Sequence, residues 1–384
     1  MRNSSDGATV LAGRIVLANE IIDGHVVIED GTITSVDTGS VPSSAIDLDG
    51  DMLLPGLVEL HTDHLENHLT PRPKVKWPVM SALMAFDAQI AASGITTVFD
   101  CVRAGHDVDY APLDNEVVEV VTAIEHAGSQ GVLRADHKIH IRCEICAADV
   151  VEQMQDLTQR IDVSLMSLMD HTPGARQFTS LDAWRTYYGG KSGRSGAELD
   201  QLIEHKQTQF TRNYATHRSA LVDIAHQNDI ALASHDDAIA EHVSESIADK
   251  VSLAEFPTTL EAARLSHEAG IRVMMGAPNV VRGGSHSGNI ASEELARAGY
   301  LDALSSDYVP ASLLFGAFDL TRRIDGFDLP RAIRTVTLNP AQAARLNDRG
   351  EIAIGKRADL IRVRMSDDLI PVIREVYRDG QRIV

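Results

Sequence analysis

Short apolar runs recur eight times between residues 57 and 308, each followed by polar or Gly/Pro residues and then, in most cases, by a helical pattern. The runs are LVELHTD, TTVFDCV, IHIRCEI, VSLMSLMDH, IALASHDD, VSLAEFPTT, IRVMMGAPN and LDALSSDY. Strands this continuously apolar suit burial on both faces, as in a parallel sheet covered by helices. Residues 78–93, 116–128, 258–269 and 292–298 carry the helical pattern between them. Eight strand–helix units over roughly 250 residues predict an α/β fold, a (β/α)8 TIM-type barrel. A doubly wound open sheet is the alternative. The fourth connection is the long one, with an insertion at 172–229 before the next strand.

Outside this region the rhythm changes. Residues 8–55 alternate apolar and polar with turn breaks, as in "TVLAGRIVLAN" and "GHVVIEDGTITSVD", and the C-terminal "RGEIAIGKRADLIRV" has the same texture. Such alternation reads as short antiparallel strands. The two ends are therefore expected to pair into a small composite β-sandwich domain, residues 1–55 with 346–384, around a barrel at 56–345.

The 35 Lys+Arg against 55 Asp+Glu give a formal charge of −20, which argues against a nucleic-acid partner, since such binding runs on a basic surface. No window approaches the roughly 20 apolar residues of a membrane helix. The start, MRNSSDGATV, lacks a basic stretch followed by a long apolar one. A cytoplasmic enzyme with no membrane partner is expected. Three cysteines make no disulfide framework. Cys143 and Cys146, three apart on a strand, point to opposite faces and make a poor metal or redox pair.

In a β/α barrel the C-terminal strand ends build the active site. Here they carry His61 and Asp63, Glu144, His171, His235 with Asp236 and Asp237, and Asp307. Strict alternation would put Glu59, His61 and Asp63 on one face, and His140, Arg142 and Glu144 on another. Burying so many titratable groups is costly unless a cation or substrate compensates. A mixed histidine and carboxylate set suits Zn²⁺, Mn²⁺ or Fe²⁺. Taken singly, each residue reads as a polar strand cap; six such positions in chain order favour metal. His106, His126, His205, His217, His226 and His267 fall in loops or helices and read as packing or surface residues.

A second theme is cationic. "APNVVRGGSHSGN" follows the seventh strand, and its Gly283, Gly284 and Ser285 amides can form an anion nest, with Arg282 and His286 adding donors. Arg72 sits beside the first strand's motif, and Arg176 and Lys191 lie in the insertion. Cations gathered at the mouth of an acidic protein point to a strongly anionic, phosphorylated substrate.

"LLPGLVELHTD", the strand-end residues and the closing "GEIAIGKRADLI" resemble the amidohydrolase superfamily, a composite β domain around a metal-dependent barrel. Longer blocks, "ELHTDHLENHLTPRP", "LMSLMDHTPGARQF", "MMGAPNVVRGGSHSGN" and "LSSDYVPASLL", are similar to a branch acting in the carbon–phosphorus lyase pathway. The resemblance implies that His61 takes the first place of the superfamily's His-x-His, with Asp63 in the second. Glu144 stands where some members use a glutamate in place of a carboxylated lysine. His171 and His235 match the later histidine ligands, and Asp307 the strand-eight aspartate. The implied reaction is hydrolysis of a ribose phosphonate 5-triphosphate to the 5-phosphate and pyrophosphate, with one or two divalent ions, Zn²⁺ foremost. Asp307 would orient and deprotonate the water. Arg282, His286, Lys191 and Arg72 would stabilise the non-bridging oxygens. The competing readings are an amidohydrolase acting on a cyclic amide or N-acetyl substrate, and a non-catalytic relative serving as an assembly partner. A homo-oligomer is compatible with all three.

Overall fold

The computed structural model describes residues 8–106, 117–177, 180–192, 194–285 and 288–384, without the side chains of residues 183, 191 and 192. Four strands come first: β1 (Thr9–Val16), β2 (Ile21–Glu29), β3 (Thr32–Asp37) and β4 (Ile46–Pro55). Eight follow: β5 (Leu57–Thr62), β6 (Ile95–Ala104), β7 (Asp136–Glu144), β8 (Val163–Met169), β9 (Ala231–His235), β10 (Leu253–Glu255), β11 (Arg272–Gly276) and β12 (Ala303–Ser305). The chain closes with β13 (Leu360–Met365), β14 (Pro371–Arg378) and β15 (Gln381–Arg382).

The termini join in one seven-stranded mixed sheet, ordered β15-β14-β13-β4-β1-β2-β3. β4 is the hinge of that union. It runs parallel to β1, with Leu11 beside Ile46, and antiparallel to β13, with Leu360 beside Pro55. Asp30–Gly31 and Asp379–Gly380 turn the two tight hairpins, all four residues having positive φ, the backbone that Asp-Gly turns adopt most readily. One cluster takes Leu11, Ile15, Val26, Ile33, Leu53 and Leu360 from five of these strands, so the sheet carries a core of its own.

The eight middle strands are all parallel, in the order β5 through β12, as their apolar runs predict. The first and last meet through the segment at 335–336. The Leu304 N–H donates to the Thr335 carbonyl at 2.8 Å and the Val58 N–H to the Val336 carbonyl at 2.9 Å. Val58, Leu60, Phe99, Leu165, Ala233 and Met274 form the cluster inside the ring. A larger one, with Phe86, Val98, Ile141 and Leu232, lies between strands and helices. Helices Val79–Ala92, Leu260–Glu268 and Ser292–Ala298 occupy the stretches where the pattern places them.

One local feature departs from strict alternation and shapes the site. From Glu59 to Thr62 β5 advances three residues while β6 advances two, from Val98 to Asp100. Such a bulge re-aims side chains. Leu60 therefore joins the inner cluster while its neighbour His61 also reaches the polar end of the barrel. Within the insertion, Trp184 and Tyr188 of helix Leu181–Ser192 stack at 4.4 Å and pack with Leu199, Leu202 and Ile203 of helix Ala197–Gln227. Among the described residues no helix is long and apolar enough to cross a membrane.

Candidate metal centre

The C-terminal strand ends open into a cavity of about 360 Å³. His61, Asp63, His171, His235 and Asp307 all stand on its wall, beside Asp236.

Two of the histidines share one carboxylate. Glu255, buried at the end of β10, lies 3.0 Å from His61 Nδ1 through Oε1 and 3.0 Å from His235 Nδ1 through Oε2. The two imidazoles stack with centroids 5.5 Å apart, and Phe256 sets its edge against both. The Ser167 hydroxyl donates to Glu255 Oε2 at 2.7 Å. Burial pushes the Glu255 carboxyl up, but His61, His140 and these hydrogen bonds outweigh it and hold the group well below the usual range. His171 repeats the arrangement with a different acid. Its Nδ1 is 2.7 Å from Glu144 Oε2, and its backbone N–H donates to Glu144 Oε1 at 3.2 Å.

Asp236 supplies the missing half of the set. Its Oδ2 lies 3.5 Å from His235 Nε2, is buried, and has no hydrogen-bond partner. One ligand atom each from His171, His235 and Asp236 lie within 4.8 Å of one another. Asp236, Phe256 and Asp307, at the ends of β9, β10 and β12, all adopt left-handed backbone, with φ of 56°, 53° and 53°. Aspartate tolerates that region, whereas a bulky Phe seldom enters it, and strain of this kind concentrates at functional sites. Asp307 is pinned by its backbone: its N–H donates to Ser305 Oγ at 3.1 Å and its carbonyl accepts from Thr62 Oγ1 at 2.8 Å.

A buried carboxylate oxygen without a proton donor, beside imidazoles whose Nδ1 atoms are already held by acids, fits a divalent cation. The described residues hold two other such groups, His61–Cys101–His140 and His61–His235–Glu255. The first suits metal poorly. Burial pushes the Cys101 thiol well up, away from the thiolate a metal needs, and His140 Nδ1 is committed to the Leu60 carbonyl at 2.8 Å.

The other expected residues divide. Arg282 and Ser285 line the cavity. Glu144 stands behind His171 rather than on that wall, and its guanidinium neighbour at 3.4 Å is Arg103; Arg142 turns instead to Asp63 at 3.8 Å. Glu59, also expected on the His61 face, is sealed against β12. It accepts from His61 N–H at 2.6 Å, from Ser305 Oγ at 2.8 Å and from Ser306 N–H, and burial pushes its carboxyl up to about 7.

Three expectations for phosphate binding are corrected. Arg176 is buried away from the cavity, ion-paired to Asp237 and bonded to Tyr214 Oη at 2.9 Å and Glu245 at 3.2 Å. Arg72 lies on an exposed turn, bridged to Val75, off the cavity wall. Gly283 and Gly284 do not form an anion nest. β11 runs straight into helix Ala277–Arg282, and their N–H groups close its end, on the Val280 carbonyl at 3.1 Å and the Asn279 carbonyl at 2.9 Å. His286 and the Lys191 side chain lie outside the described residues. Glu255 and Arg103 are the site groups that the sequence reading does not single out, whereas Asp236 and Arg142 are placed at the strand ends without a role. The signal was an acid directly after His235 in "ASHDD" and at the strand end in "LAEF", and arginines near the ends of β6 and β7.

The amidohydrolase family matches residues 88–384. Over 372 residues the chain is 45% identical to alpha-D-ribose 1-methylphosphonate 5-triphosphate diphosphatase of Escherichia coli (strain K12), covering 96% of this chain and 98% of that one. Among solved structures, 5-methylcytosine deaminase from Klebsiella pneumoniae liganded with phosphonocytosine superposes with a TM-score of 0.65 at 16% identity, over 98% of each chain. N-acetylglucosamine-6-phosphate deacetylase from Pasteurella multocida gives 0.64 at 12% identity, over 98% of this chain and 99% of that one. At such identities the likeness is one of fold.

Proposed function

The chain belongs to the amidohydrolase family, and from that membership we propose that it hydrolyses α-D-ribose 1-methylphosphonate 5-triphosphate to the 5-phosphate and pyrophosphate with a divalent cation, Zn²⁺. The observation that carries this reading is the 45% identity, spread over 96% of the chain, to a diphosphatase of that substrate. The cavity is consistent with it. Arg103, Arg142 and Arg282 converge on one space in a chain of net charge −20, and arginine forks suit phosphate oxygens.

His171 and His235, with His61 beside them, would hold the cation, which when bound lowers the pKa of water and polarises a phosphoryl oxygen. Asp307, fixed at the strand end by Ser305 and Thr62, takes the proton from the attacking water. The new bond forms between water oxygen and the α-phosphorus. The bond from that phosphorus to the bridging oxygen breaks, and pyrophosphate leaves with its electron pair. Arg103 and Arg142 stabilise the oxygens on which charge grows. The test is pyrophosphate release by the Zn²⁺-loaded protein from the ribose 5-triphosphate, beside a hydantoin and an N-acetylated sugar. Turnover of the triphosphate alone is expected; turnover of either amide in its place overturns the reading.

A further inference from the structure

We propose that Asp236 is the carboxylate ligand of the catalytic cation, with His171 and His235, and that Glu144 and Glu255 orient those histidines from behind. This rests on the metal-dependent reading above and assigns the donors within it.

The proton arrangement of each imidazole leads there. Glu144 Oε2 at 2.7 Å from His171 Nδ1, and Glu255 Oε2 at 3.0 Å from His235 Nδ1, each require hydrogen on that nitrogen. In the neutral form that metal binding requires, each imidazole has one N–H, so both Nε2 atoms are then lone-pair donors. A carboxylate behind a histidine fixes tautomer and ring orientation in this way and raises its basicity. Glu255 does it for two rings at once, since Oε1 holds His61 Nδ1 equally at 3.0 Å.

Asp236 differs from both glutamates. Glu144 takes hydrogen bonds from His171 side chain and backbone and from Arg103, and Glu255 from two imidazoles and Ser167. Asp236 Oδ2 takes none, although only 4% of the residue is exposed, and it faces the Nε2 side of His235. An ionised oxygen left so is costly in a protein interior unless a cation answers it. Its left-handed backbone, held by the Asp236 N–H on the Glu255 carbonyl at 2.9 Å, keeps it aimed there. Two imidazoles and a carboxylate leave further positions open for water and substrate, as a hydrolytic zinc site needs. A cation placed instead between His61, His235 and Glu255 would sit on the Nδ1 side, on a carboxylate that is off the cavity wall.

Zn²⁺ affinity of metal-free protein, measured by chelator competition with stoichiometry, separates these assignments without any substrate. D236N keeps size and suits the left-handed backbone; D236G, at the same φ, is the second variant if the first does not fold. Either is expected to lower affinity by more than about 100-fold, beyond the roughly 10- to 100-fold of an orienting residue. E144Q and E255Q should fall within that smaller range. At equal Zn²⁺ concentration the rise in melting temperature should be smaller for D236N than for wild type. Wild-type affinity in D236N, or a larger loss in E144Q or E255Q than in D236N, overturns the assignment. A wild type that binds no divalent cation overturns the metal reading itself, so the two failures are distinct.

Discussion

Between β6, β7 and helix Val79–Ala92, His137 lies among Asp87 and Asp100; at the far ends of the strands, His171 and His235 lie among Glu144, Glu255 and Asp236. Both places bury imidazole with acids, and they balance the charge differently. His137 is gripped at both nitrogens, Nδ1 on Asp100 Oδ2 at 2.8 Å and Nε2 on Asp87 Oδ1 at 3.3 Å. Burial would lower its pKa, but Asp100 and Asp87 outweigh that and lift it to about 9. The ring is an imidazolium, and no lone pair remains for a metal. Asp100 Oδ1 is itself without a hydrogen bond, but its partner oxygen already faces a cation made by protonation. At the strand ends acids hydrogen-bond only Nδ1; Asp236 Oδ2 faces His235 Nε2 at 3.5 Å without a hydrogen bond, a gap that a cation from outside can fill. The deciding variable is whether the second ring nitrogen is hydrogen-bonded to an acid.

The largest expected effect breaks the first cluster. His137→Asn leaves Asp100 buried without its cation, and losing one partner of a buried pair costs roughly 3–5 kcal/mol. Urea unfolding of metal-free protein should show that loss, with Zn²⁺ stoichiometry unchanged. Unchanged stability would mean that the cluster is not an ion pair.

pH should sharpen the same contrast. The folded pKa of His137 is raised from 6.5 to about 9, so its contribution is complete below pH 6.5 and is lost as pH rises through about 9. Up to about 3 kcal/mol is at stake on linkage grounds. The stability gap between wild type and His137→Asn should therefore shrink from pH 6 to pH 9.5; a constant gap would remove the imidazolium.

At the other end, Asp307→Asn keeps size and most hydrogen bonding but removes the base. Turnover should fall by roughly 10²-fold or more, with Zn²⁺ largely retained, because the ligands proposed above are His171, His235 and Asp236. Near-normal turnover would sink its role in proton transfer.

What the chain made legible follows from the range of each signal. The eight strands were readable because each apolar run reports its own burial. The strand-end histidines were readable because position along a barrel strand fixes proximity to the site. Partners were not. Arg176 looked like a substrate cation, yet its carboxylate, Asp237, stands 61 residues away and claims it. Alternation placed Glu59 with His61, but the bulge before Thr62 parted them, and no residue type in β5 announces a bulge. Glu144 and Asp236 are both strand-end acids near histidine. Only the hydrogen-bond inventory, which one side fills and the other lacks, tells them apart.

The smallest expected effect concerns the cations on the cavity wall. Arg142 lies two residues before the end of β7 with its side chain 15% exposed, 3.8 Å from Asp63, whereas Arg282 ends a one-turn helix and is exposed. Both carry full charge, but water screens the second. A desolvated charged hydrogen bond to phosphate is worth roughly 1.5–3 kcal/mol, so Arg142→Ala should raise KM or lower kcat/KM by about 10- to 150-fold. Arg282→Ala should cost less than about tenfold, nearly all in KM, and its effect should fade as salt is raised, since added ions shield a rim charge first. The pair of variants is informative only together. Equal losses in kcat/KM that are indifferent to salt would mean that Arg282 is drawn inward onto bound substrate, and that the wall closes around the triphosphate.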